Sequence, residues 1–287
     1  MMGIYYLSLI KGYGAFMTYD TFQPYIKHTE ADKREKGYAW YTAIGLQDVD
    51  GLKPSPYLLE LAKKNIEGDI SLEEVESLIK SYYENRPNEE PGNRTKEADN
   101  VSVKISQLIQ APGFTFSPVQ YLAIHKELFT GIYSYAGQIR DYNISKKEWV
   151  LGGESIIYGS ATELMDTLEY DLNQERQFSY KGLTQDQIIQ HLATFVSRLW
   201  QIHVFAEGNT RTTAVFFIKY LRTLGYMVTN DSFAKHAWYF RNALVRANYT
   251  NLSKNIHETT EYVKLFLRNL LLGESHELRN RDLHIDA

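Results

Sequence analysis

The chain predicts a mostly α protein with one β-hairpin, preceded by a small three-helix module. Three observations carry that expectation. Apolar residues recur at helical spacing along most of the 287 residues. One stretch, Tyr142 to Tyr158, breaks the pattern around the Gly152-Gly153 pair. A polar run with two prolines, Asn85 to Asn93, separates a short first part from a long second part.

The elements follow in order. About Ala31 to Leu46 reads as a first helix, closed by a turn at Gly51-Leu52-Lys53-Pro54. Pro56 to Lys64 reads as a second, with Tyr57, Leu58, Leu61 and Ala62 at helical spacing and Gly68 at its end. Ser71 and Glu74 form a capping box for a third helix carrying Val75, Leu78 and Ile79. The linker follows, so residues 17–93 are expected as one module and 94–287 as a second domain. In the second domain, helices are expected near 96–110, 117–129, 160–174, 184–201, 211–224, 231–247 and 256–272. The hairpin is expected with Trp149-Val150-Leu151 and Ser155-Ile156-Ile157 as strands about a short glycine turn.

Composition narrows the function. There is no cysteine, which excludes disulfides, thiolate metal sites, iron–sulfur clusters and a cysteine nucleophile. The 31 basic and 35 acidic residues nearly cancel, so no nucleic-acid partner is expected. No apolar run approaches roughly 18 residues, so no membrane span is expected. The first apolar stretch, Ile4 to Ile10, has neither a basic segment before it nor a small-residue cleavage site after it. Met17 is an alternative start, with residues 1–16 an over-extended N-terminus. A cytoplasmic protein is expected. The 22 tyrosines, apolar in body and polar at the tip, suit half-buried helix faces.

One segment carries chemistry: His203-Val204-Phe205-Ala206-Glu207-Gly208-Asn209-Thr210-Arg211. It joins a helix capped by Thr184 and Gln187, with Ile188, Leu192, Phe195, Val196 and Leu199, to one with Ala214, Val215, Phe217, Ile218, Leu221 and Leu224 that stops at Gly225. Gly208-Asn209-Thr210 opens the second helix, where unpaired N–H groups and the helix dipole make an anion site. Arg211 adds a bidentate donor for phosphate oxygens. Glu207 would repel a phosphate unless a divalent cation lies between, and Mg²⁺ on one carboxylate plus phosphate oxygens is the usual arrangement. His203 ordinarily titrates near neutrality and could act as general base. Each residue alone has an ordinary structural reading, as a helix-end histidine, a cap or a first-turn acid. The combination within nine residues points to a phosphate site.

The segment resembles the Fic family of nucleotide transferases, whose motif is H-x-F-x-[D/E]-G-N-G-R-x-x-R. His203, Phe205, Glu207, Gly208, Asn209 and Arg211 match; Thr210 replaces a glycine and Ala214 the second arginine. His125 to Phe129, Ile132-Tyr133, Ala136-Gly137-Gln138 and Arg140 resemble the stretch before the family's hairpin flap, and Leu244 to Asn248 one that helps hold adenosine. The resemblance spans about residues 96–273 and implies a Fic-type helical bundle that moves AMP from ATP to a Ser, Thr or Tyr hydroxyl of a target protein. It implies His203 as base, Glu207 on Mg²⁺, the Gly208–Thr210 backbone and Asn209 side chain as anion hole, Arg211 on the distal phosphates, Asn248 at the nucleotide, and the Tyr142–Tyr158 flap binding the target as an added strand. Losing the second arginine removes one phosphate contact.

The first module resembles a VbhA-type antitoxin through Gly51-Leu52-Lys53-Pro54-Ser55, Leu58-Leu59 and Ile66-Glu67-Gly68-Asp69-Ile70. The inhibitory pattern [S/T]-x-x-x-E-[G/N] aligns with Leu46 and Asp50-Gly51, so its serine and glutamate are absent. Asp50 is the inhibitory candidate; a plain turn residue is the other reading. Two further functions stay open: a non-catalytic nucleotide- and peptide-binding protein, and a transferase using another phosphate-containing donor. Oligomeric state is not readable.

Overall fold

A computed structural model describes residues 21–85 and 94–286. Residues 1–16, Met17 and the linker from Arg86 to Asn93 lie outside the described residues. The chain is mostly helical, and its packing divides it into two units.

The first unit takes in the described residues through Gln110 together with Thr229–Lys235. It contains α1 (Gln23–Ile26), α2 (Ala31–Gly45), a 3-10 turn (Leu46–Asp50), α3 (Pro56–Glu67), α4 (Leu72–Glu84) and α5 (Thr95–Gln110). The Ser71–Glu74 capping box forms at α4, and Gly68 ends α3 in the left-handed region at φ 90°. Phe22, Trp40, Leu58, Leu61, Ile66, Val75, Ile79 and Val103 pack in one core. The linker-based expectation put residues 94 onward in the second domain, yet α5 packs on α2 and α4 in the first unit. Asp99 of α5 supplies the physical reason. Its buried carboxylate accepts from the Ser55 backbone N–H at 2.7 Å, the Ser55 hydroxyl at 2.5 Å and the Tyr83 hydroxyl at 2.8 Å. A buried charge is stable only with such partners, so α5 is tied to α3 and α4.

The second unit holds Ala111–Val228 and His236–Ala287. It contains α6 (Pro118–Phe129), strands β1 (Ser145–Lys147) and β2 (Ser155–Ile157), α7 (Leu164–Gln177), α8 (Gln185–Ile202), α9 (Asn209–Thr223) and α11 (Glu261–Leu272). Between α9 and α11, α10 (Ser232–Arg246) is broken at His236, whose φ of −126° is not helical, and only its later part belongs here. The Thr184–Gln187 capping box starts α8. Every residue of α9 from Asn209 to Leu221 is buried, so this helix is the unit's centre, packed by α6 and α8. Glu175 of α7 accepts from the Tyr180 and Tyr220 hydroxyls at 2.5 Å each and pairs with His191 Nε2 at 2.6 Å. Tyrosine tips thus satisfy buried acids in both units.

The helix expected near 160–174 runs from Leu164 to Gln177, and two further expected elements differ. Trp149-Val150-Leu151 is a 3-10 turn and not a strand; the antiparallel pair is Ser145–Lys147 with Ser155–Ile157. Val150 and Leu151 are fully buried, and burying both neighbours of an apolar run needs a turn where a strand would alternate. Helix α11 begins at Glu261 rather than near 256, because Ile256 pairs with Asn251 in a backbone bridge of two 2.9 Å hydrogen bonds.

Candidate active site

The motif is the corner between α8 and α9, and its shape begins with His203. This residue ends α8 in the left-handed region at φ 54°, unusual for a side chain with a Cβ. Its carbonyl is held by Arg140 Nε at 2.8 Å. The same guanidinium donates to the Tyr142 carbonyl at 2.6 Å and the Gly159 carbonyl at 2.5 Å. Arg140 therefore fastens both ends of the flap to the motif through one buried fork.

The next turn is fixed from inside. Asn209 accepts the Phe205 N–H at 3.0 Å and donates to the Phe205 carbonyl at 2.8 Å. Phe205 stacks on His125, ring centroids 3.6 Å apart and 8° from parallel. His125 Nδ1 accepts the Gly137 N–H at 2.8 Å, so its proton sits on Nε2, which donates to the Glu207 carbonyl at 3.0 Å. Burial pushes the pKa of His125 down to about 4, and the nearby Arg211 charge acts in the same direction. Gly208 must be glycine: its φ is 78°, and a Cβ there would lie 2.4 Å from the Phe129 ring. Thr210 fits where the family pattern has glycine because its hydroxyl turns inward and accepts from the Trp200 indole N–H at 3.0 Å.

The His203 ring is 4% exposed. It stacks on Tyr158 at 3.7 Å and meets Trp200 edge-on at 5.5 Å. Neither ring nitrogen has a hydrogen-bond partner among the described residues. Burial holds its pKa well below the ordinary histidine value, and Lys146, Arg140 and Arg241 push the same way. A neutral imidazole carries one nitrogen able to accept a proton, and here no described residue occupies either nitrogen. Glu207 lies beside it on the surface, with Oε2 3.1 Å from Lys146 Nζ of β1.

The other expected residues are placed as follows. Arg211 is fully buried over the Phe129 ring, 4.8 Å from its centroid. The amide N–H groups of Asn248 are committed to the carbonyls of Ser197 at 3.0 Å and Leu244 at 2.9 Å, leaving its oxygen as the group to offer. The Asn209 side chain is likewise spent on the loop, which leaves this residue's backbone N–H, at the start of the helix, for the expected anion hole. Ala214 is fully buried. Asp50 ends the 3-10 turn of the first unit, before Gly51 at φ 67°. His203, Glu207, Gly208, Asn209, Thr210 and Arg211 come together on one corner; Asn248 hydrogen-bonds α8 from the end of α10.

Four residues packed around the motif were not singled out from sequence. Lys146 faces Glu207. Tyr158 covers His203, with its hydroxyl 3.4 Å from Glu148 Oε1. Glu148 and Arg241 form a bidentate pair at 2.6 and 2.8 Å, both largely buried, tying the flap to α10. The flap's alternation held a signal for Lys146, because it shares a face with the apolar Ile156; the other three carry no local signature.

No cluster of three or more His, Cys, Asp or Glu side chains that could hold a metal exists among the described residues. Glu207, half-exposed and single, fits a cation that takes its other oxygens from phosphates and water. No helix among the described residues is long and apolar enough to cross a membrane.

Residues 115–221 match the Fic/DOC family. The chain is 27% identical over 144 residues to protein adenylyltransferase VbhT of Bartonella schoenbuchensis, covering 46% of this chain and 29% of that protein. It is 24% identical over 115 residues to the probable protein adenylyltransferase Fic of Escherichia coli, covering 40% of this chain and 54% of that one. The matched stretch thus spans about half the length of these relatives or less. Among solved structures, a Fic family protein from Desulfovibrio desulfuricans matches with TM-score 0.55 at 14% identity, covering 90% of this chain and 70% of that one. A Fic domain containing signaling protein from Bacteroides thetaiotaomicron matches with TM-score 0.53 at 14% identity, covering 92% and 98%. These structures share the mostly helical fold with its N-terminal helices and two-strand hairpin. The motif corner at residues 203–211 lies inside the stretch that matches the Fic/DOC family, and the chain is distantly similar to protein adenylyltransferases.

Proposed function

We propose that the chain is a protein adenylyltransferase that moves AMP from ATP to a Ser, Thr or Tyr hydroxyl of a target protein. The observation that carries this reading is His203: a buried imidazole held neutral, with both ring nitrogens unpartnered among the described residues, in the turn that leads into the next helix. In this reaction the target hydroxyl gives its proton to His203 as its oxygen bonds to the α-phosphorus. The bond from that phosphorus to the bridging oxygen breaks, and pyrophosphate leaves. The N–H groups at Gly208–Thr210 hold the phosphate charge. Glu207 would hold Mg²⁺, which neutralises charge on the phosphates when bound. Arg211 stabilises the same corner from beneath, and the Asn248 oxygen faces the nucleotide.

The flap supplies the target site. Its two strands form a sheet with exposed edges, and Tyr142, Trp149 and Ile157 are exposed at 52%, 49% and 74%. A target segment pairing with a strand edge would bring its hydroxyl to His203 with little demand on side-chain sequence. The first unit is proposed to act as an antitoxin-like inhibitory module, with Asp50 as the inhibitory candidate.

Full burial of Arg211, together with Ala214 in place of a second arginine, favours a second reading: the fold binds nucleotide and peptide without transfer. Incubating the full chain and a lysate with Mg²⁺ and α-labelled ATP separates the two. Transfer predicts a labelled protein band that His203→Ala abolishes. Binding without transfer predicts no label in any lane.

A further inference from the structure

We propose that Lys146 is a phosphate ligand which the flap contributes to the motif, held in reserve by Glu207. The proposal rests on the nucleotide-binding part of the function above.

The hairpin aims this residue inward. Lys146 is the middle residue of β1 and pairs with Ile156 of β2. Residues directly opposite in an antiparallel pair project to the same face, and Ile156 is buried, so Lys146 lies on the covered face. Its neighbours Ser145 and Lys147 alternate to the exposed face. Its ammonium stands 3.1 Å from Glu207 Oε2. Its positive charge also disfavours protonation of the His203 imidazole, alongside burial.

The Lys146–Glu207 pair is half-exposed on both sides, at 31% and 46%, and such pairs are weak and readily exchanged. A divalent cation on Glu207 would take away the ammonium's counter-charge and repel it. A phosphate oxygen beside that cation restores an anion to Lys146, and a point charge on a flexible stem can swing to it. The local alternatives are limited. The Asn209 amide is spent on Phe205, and Arg211 is wholly buried. Lys146 would thereby supply a mobile positive charge that these groups do not present at the surface of the motif.

Calorimetric titration of the full chain with Mg²⁺ and ADP tests this without reference to transfer. Lys146→Gln should raise Kd about tenfold or more, the effect of losing one charge-assisted hydrogen bond. Lys147→Gln, one residue along on the exposed face, should leave Kd within twofold. Unchanged binding by Lys146→Gln overturns the proposal, as does an equal loss in Lys147→Gln, which would reveal only a general field effect. If the wild-type chain binds no nucleotide, the reading beneath the proposal falls, and that failure is visible in the first titration. Thermal melting of both variants verifies that each is folded.

Discussion

His125 accepts at Nδ1 and donates at Nε2, so it serves the motif only while neutral. Its folded pKa is about 4 and its unfolded value near 6.5. The sign follows: the unfolded chain binds the proton first, so stability is fully present above pH 6.5 and falls as pH drops towards 4. The loss from this residue is about 3 kcal/mol by pH 4. His203, also depressed, adds to it in the same direction. His125→Gln can keep both hydrogen bonds through its amide, so its urea midpoint should fall less steeply between pH 6.5 and 4 than the wild type's; equal slopes would remove His125 from this role. At Gly208 the constraint is steric. Gly208→Ala should lower the melting temperature by the equivalent of more than about 1 kcal/mol, since left-handed backbone and the Phe129 ring both oppose a Cβ. A melting curve unchanged from wild type would contradict that geometry. The residue types of the motif were legible in the sequence, and their tasks only partly so. Asn209 and Arg211 read as phosphate ligands because both carry strong donors. Whether a donor faces outward or into the loop depends on the corner's backbone, which spacing does not encode.

The flap depends on buried charge at its base. Arg140 fixes its two ends to the His203 carbonyl, and the Glu148–Arg241 pair fixes its turn to α10. Removing one partner of a buried pair leaves the other charge unpaired and costs about 3–5 kcal/mol. Arg241→Ala should therefore destabilise the second unit by that order and speed hydrogen exchange at residues 145–157. Replacing both partners with apolar residues of similar size should cost much less; equal losses in the single and double variants would show that the pair itself is not what holds the flap. Helix positions were legible because capping boxes at Ser71 and Thr184 and the glycines at 68 and 225 mark ends by local chemistry. The hairpin's register was not. Trp149-Val150-Leu151 is apolar and β-prone, and only tertiary burial of both Val150 and Leu151 turns it into a 3-10 turn.

The division of the chain has a consequence for any attempt to separate its parts. The Pro/Gly linker was the strongest boundary signal in the sequence, but α5 belongs with the first unit through Asp99 and Val103, long-range contacts that no local composition reveals. A chain beginning at residue 94 would keep α5 without Ser55, Tyr83 and the core that covers Val103. It should be less soluble than the full chain, which a sedimentation assay reads directly; equal solubility would show that α5 does not need those partners. Inhibition by the first unit is therefore better tested in the intact chain, where Asp50→Ala should raise the labelling rate if Asp50 inhibits, and an unchanged rate would exclude it. The most direct measurement is transfer from α-labelled ATP, with Mg²⁺, by the intact protein and its His203→Ala variant, each with a lysate as a source of targets. A His203-dependent labelled band, absent when the label is on the γ-phosphate, is the predicted result. No label from the wild type, or equal label from His203→Ala, would contradict it.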